Sequence, residues 1–165
     1  MLSDVIALVR GIARSLVART SPAQLALGFT LGMILGAMPK TNLIALALCV
    51  AIFSLRCNRA LGLVAAVAFS FLGTSLDPFT HKVGLAVLSI HSLQASYAWM
   101  LNMPFGAWVG FNNTVVLGTF LLGLYVAYPV FWLSRLFFSV LRSVFGRDTD
   151  DPAVFDDDLE LRIAA

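Results

Sequence analysis

Two short polar stretches interrupt an otherwise apolar chain and hold most of the residues able to do chemistry. They are Pro39-Lys40-Thr41-Asn42 and Phe111-Asn112-Asn113-Thr114. A lysine, a hydroxyl and an amide in sequence offer only donors and acceptors suited to an anionic group. If Lys40 lies at membrane depth, its charge costs several kcal/mol unless it is paired or hydrated. Lys40, Thr41 and Asn42 then form a polar site for an anion. If it lies at the far-side headgroups, the same residues are an ordinary loop. Asn112 and Asn113 also read two ways. One amide caps the helix that follows, and the other satisfies broken backbone or contacts a ligand. Asp77, before Pro78, reads as a helix cap with proline at the first helical position. With His81 and Lys82 near it, it could also relay protons. His91 stands alone in its run and suits a hydrogen bond within the bundle.

No metal spacing, nucleophile elbow or phosphate loop occurs in the sequence. No nucleophile and base can be assembled, so the expectation is a protein that is not an enzyme and needs no cofactor. Cys49 and Cys57 make neither a disulfide framework nor a metal site.

The elements that must position these residues are apolar. The chain is 59% hydrophobic and 12% charged over 165 residues, against about 25% charged for a soluble domain. Seven of the nine acids fall between Asp148 and Glu160, leaving only Asp4 and Asp77 upstream. The body is therefore basic, which suits anionic headgroups. Its arginines flank apolar runs and form no basic stripe, which argues against nucleic acid.

Residues 1–20 repeat apolar positions at helical spacing with Arg10, Arg14 and Arg19 among them. They read as an amphipathic helix on the membrane surface rather than a signal peptide. Packing on the protein's own body is the other reading. Ser21-Pro22 opens the first apolar run, Ala23 to Met38. The second is Leu43 to Leu55, closed by Arg56, Asn58 and Arg59. The third, Ala60 to Leu76, ends at Asp77-Pro78. A fourth extends from Val83 to Met103, and a Gly/Trp connector from Pro104 to Phe111. The fifth, Thr114 to Ser134, is closed by Arg135. Residues 148–165 are an acidic, disordered tail, leaving 21–147 as the transmembrane domain.

A spanning helix needs about 20 apolar residues. The fifth run suffices, the third is marginal, and the first two are short. Keeping the arginines cytoplasmic yields hairpin, span, hairpin, span. The hairpins turn near Met38-Pro39 and Met103-Pro104 and enter from opposite faces, as in transporters built on inverted repeats. The fold expectation is all-α and polytopic, with an interfacial N-terminal helix, two short hairpins (re-entrant or crossing) and two longer spans. Both termini are then cytoplasmic at a bacterial inner membrane. Gly28, Gly32 and Gly36 give one helix a face without side chains, for packing within the bundle or against a second copy.

The stretches "SPAQLALGFTLGMILGAMP", "RCNRALGLV", "LDPFTHKVGL" and "GFNNTVVLGTF…YPVF" resemble domain-of-unknown-function family 2062. The likeness is to its short subfamily with the Phe-Asn-Asn-Thr block. It extends over about Ser21 to Phe137 and implies a multi-pass inner-membrane protein, with no catalytic residue to transfer. Two functions fit. One is a small transporter or lipid-handling protein whose polar tips receive an anionic substrate. The other is a membrane scaffold that binds a partner, or a second copy, through its glycine face and acidic tail.

Overall fold

The computed structural model describes residues 20–146. The N-terminal amphipathic helix (all but Thr20), the acidic tail, and Arg10, Arg14, Arg19 and Arg147 lie outside them. Among the described residues every regular element is helical. They are α1 (Pro22–Ala37), α2 (Leu43–Ser54), α3 (Arg59–Leu88), a 3₁₀ turn (His91–Leu93), α4 (Gln94–Leu101), α5 (Gly106–Val109) and α6 (Thr114–Gly146). The all-α expectation holds.

Local chemistry sets the first boundaries. The Ser21 hydroxyl accepts from the Gln24 N–H at 3.3 Å, and the Gln24 side chain accepts from the Ser21 N–H at 3.2 Å. This reciprocal cap, with Pro22 in the first turn, starts α1. Asn42 caps α2 through the Ala45 N–H at 2.8 Å. Asn58 caps α3 through the Leu61 N–H at 2.9 Å. The backbone N–H of Asn58 also donates to the Gln24 carbonyl at 3.0 Å. That bond seats the start of α3 beside the start of α1, so the two helices run parallel once α2 has returned the chain.

Glycine spacing fixes their register. A Cβ on Gly28 would fall on the Asn58 carbonyl, one on Gly32 on the Gly62 carbonyl, and one on Gly36 on the Ala66 carbonyl. The glycine face is therefore used within the chain, where it lets α1 and α3 approach at backbone distance. α6 runs antiparallel to both. A Cβ on Gly118 would meet the Thr80 carbonyl, Gly123 faces Ile34, and Phe138 packs with Leu25 and Ala26. Two small cores result. One holds Leu35, Met38, Ala45, Ile52, Ala66 and Val116; the other lies at the Leu25 end. The outer faces carry large exposed apolar side chains, among them Phe71, Tyr125 and Leu133. Two helices, α3 and residues 114–143 of α6, are long and apolar enough to cross a membrane.

Three expectations are corrected. Asp77-Pro78 does not begin a helix: both residues lie inside α3. A proline there removes one backbone donor. The helix persists because α6 packs closely on the turns that follow the proline, with Thr80 against Gly118 and Gly84 against Thr114. Arg135 likewise does not end its helix, since α6 continues through it to Gly146. The fourth run is divided. Val83 to Leu88 finishes α3, and the turn at Met103-Pro104 joins arms of only 8 and 4 residues, α4 and α5. The second hairpin is thus far smaller than the first.

Candidate functional site

The polar turn between α1 and α2 is built from helix-end chemistry. The last carbonyls of a helix have no partner within it. The Lys40 ammonium donates to two carbonyls at the end of α1, Gly36 and Met38, at 2.7 Å each. A cation at the negative end of a helix is electrostatically favoured as well. Asn42 both donates to the Pro39 carbonyl and caps α2. Met38, 1% exposed, plugs the turn into the core beneath. Thr41 and Lys40 are exposed. An ammonium has three donors, so Lys40 keeps one for an outside acceptor.

This turn meets the start of α6. Gly110, at φ +88°, sits against the Asn42 side chain and Val116. The left-handed backbone and the close approach both call for glycine here. Asn113 caps α6, accepting from the Val115 N–H at 2.9 Å and the Val116 N–H at 3.4 Å. Asn112 beside it is exposed. Lys40, Thr41, Asn42, Asn112 and Asn113 therefore cluster at one end of the α1–α2 hairpin. Asp77 stands apart, half-buried within α3. Its carbonyl accepts from the Thr80 hydroxyl at 3.1 Å. His81 shares a hydrogen bond with Thr114, tying α3 to the first residue of α6.

Charge is segregated along the bundle. Arg56 and Arg59 flank the start of α3, close to the start of α1. Arg135 and Arg142 lie on the last turns of α6, and Arg135 borders the same surface depression as Ser21 and Pro22. The Arg135 guanidinium stacks 5.0 Å from the Trp132 ring centre. Cys57 lies at this arginine end, its thiol bonded to the Ile52 carbonyl at 3.3 Å. Burial pushes that thiol up, with the Arg59 charge opposing; such a thiol is a poor nucleophile. Among the described residues no three of His, Cys, Asp and Glu come together to hold a metal ion.

Sequence reasoning passed over Thr119. It lies in the fifth apolar run between Gly118 and Phe120, with no charge or motif to mark it. Thr119 is 4% exposed, and its hydroxyl has no hydrogen-bond partner among the described residues. It lines a cleft of about 230 Å³ between α1, α3 and α6, whose other walls include Met33, Ala37, Phe79, Gly123 and Val126.

An "Uncharacterized protein" of Treponema pallidum (strain Nichols) is 34% identical to this chain over 122 residues, covering 74% of this chain and 75% of that protein. No family model matches the chain, and no solved structure does.

Proposed function

This chain belongs to one family with that Treponema protein, and from that premise we propose a multi-pass inner-membrane protein that handles an anionic amphiphile at its polar turn. The resemblance to domain-of-unknown-function family 2062 fits this reading. The rise from Arg59 to His81 on α3, and from Thr114 to Arg135 on α6, is about 32 Å each, close to the roughly 30 Å of a hydrocarbon core. The four described arginines collect at one end, which becomes the cytoplasmic side by the positive-inside rule. Both chain ends then lie on that side.

α1 and α2 rise only about 24 and 18 Å, too little to cross. Ala37, the last residue of α1, packs on Gly73, about 21 Å along α3 from Arg59. The hairpin thus enters from the cytoplasmic face and turns back inside the membrane. The observation that carries the functional reading is Lys40 at that turn. It is an exposed cation with an unspent donor, held by two carbonyls at the turn of the hairpin, which the proposed topology sets at membrane depth. Such groups inside a membrane mark substrate paths. The scaffold alternative loses its glycine face, which α3 already covers.

The test begins with Thr41→Cys in a Cys49→Ala, Cys57→Ala background. It is expected to resist impermeant thiol reagents from both sides of the membrane. Free labelling from outside would place the turn in an ordinary loop and overturn the reading. Lys40→Met is then expected to abolish binding of anionic lipid, while Lys40→Arg retains it.

A further inference from the structure

The cleft beside Thr119 is the opening whose wall holds a buried hydroxyl without a partner, and the polar turn does not explain it. Its wall is almost wholly apolar, and it is larger than the roughly 150 Å³ cavity that accepts benzene. Leu76, Phe79 and Val126 at its rim are exposed on the outer face of the bundle. Hydroxyls elsewhere in these helices bond back to the preceding turn: Thr30 to Ala26 at 2.8 Å, Ser70 to Ala66 at 2.6 Å. Thr80, the other hydroxyl on the cleft wall, is satisfied by Asp77. Thr119 alone among the cleft's hydroxyls is left without a partner, and burying such a group costs free energy until a partner arrives. Helical threonine divides between two χ1 wells, and exchanging them swaps its hydroxyl with its methyl.

The order along α6 matters. Its capped start lies beside the Lys40 turn. Thr119 comes a turn and a half later, and Gly123 and Val126 follow toward the arginine end. Cation, hydroxyl and apolar slot succeed one another as phosphate, ester and hydrocarbon do in a glycerophospholipid. We propose that the cleft between α1, α3 and α6 holds one acyl chain of an anionic glycerophospholipid, its ester carbonyl accepting from the Thr119 hydroxyl and its phosphate at Lys40. This deepens the proposed function and rests on it for the membrane setting.

The test uses the full chain in nanodiscs with phosphatidylglycerol carrying a photoactivatable diazirine on one acyl chain. Cross-linked residues are mapped by mass spectrometry. Labelling is expected on Met33, Thr119, Leu122 and Val126. Val126→Trp, which closes the mouth from an exposed position, should cut it roughly tenfold. Thr119→Val keeps the shape, and should cut it about fivefold for the ester-linked probe and leave an ether-linked probe unchanged. Labelling confined to the outer faces, or indifferent to Val126→Trp, overturns the proposal. So does a shift of the purified protein from dimer to monomer on Val126→Trp, which would assign the cleft to a second copy. The two readings fail separately. Cleft labelling that is equal for a zwitterionic probe and indifferent to Lys40→Met refutes the anionic site but keeps the chain slot. Lys40-dependent binding without cleft labelling does the reverse.

Discussion

Two connecting stretches among the described residues, 38–42 between α1 and α2 and 102–113 around α5, satisfy their polar groups in opposite ways. In the first, Lys40 closes two helix-end carbonyls and Asn42 serves both the helix behind it and the one ahead. In the second, Asn113 caps α6, while Asn112, Phe105 and Trp108 are exposed, as is Trp99 in α4 just before it. Phe105 even adopts a left-handed φ of +66°, a conformation that costs a non-glycine residue about 1 kcal/mol or more. A turn kept from water must pair its backbone internally. A turn at an interface leaves that task to water and sets its aromatic rings among headgroups. The difference separates a turn that pairs its own polar groups from one that leaves them to its surroundings, although the two meet where Gly110 lies against Asn42.

Four substitutions would break or sharpen that contrast. The largest effect is expected from Gly36→Leu at the stem of the inner turn. Its side chain would drive into the Ala66 carbonyl and the Phe69 side chain, costing about 3 kcal/mol. Little folded protein should survive detergent extraction in a size-exclusion assay. A normal elution profile would show that α1 and α3 are not locked together. Lys40→Met should lower thermal stability by about 2 kcal/mol, because two carbonyls lose a charged donor. A variant as stable as the parent would mean that water already reaches this turn. Asn113→Ala removes a cap and should cost about 1 kcal/mol, measurable as a downward shift of the unfolding midpoint. Asn112→Ala, one position earlier, should stay within about 0.5 kcal/mol. Equal losses at the two asparagines would erase the distinction between a capping amide and a free one.

Helix starts were readable from sequence because their signals are local. Ser21-Pro22 and Asn42 each act within one turn of the chain, and each begins a helix where its residue type suggests. The polar residues of both tips were also identifiable, since charge and amides stand out against apolar runs. The end of α3 was not. Asp77-Pro78 carries a local stop signal, but Gly84 and Gly118 override it through packing between residues far apart in sequence. The same holds for α6, where Arg135 looks like a terminus yet the helix runs on about three turns to Gly146, with Arg135 beside Ser21 at the bundle's end. Thr119 was invisible for another reason. A threonine in an apolar run ordinarily spends its hydroxyl on the turn before it, and only the placement of three helices shows that this one does not.

The glycine face of α1 has a consequence for the order of synthesis. A ribosome releases the chain from its N-terminus, so the hairpin emerges before the helix that covers it. Until α3 has been made, residues 22–54 are too short to hold themselves across a bilayer and have no backbone to nest against. Under the proposed membrane topology, their insertion waits for a later segment. Stalling translation before Gly73 leaves the exit channel should leave the hairpin extractable by alkaline carbonate, and resumed elongation should fix it in place.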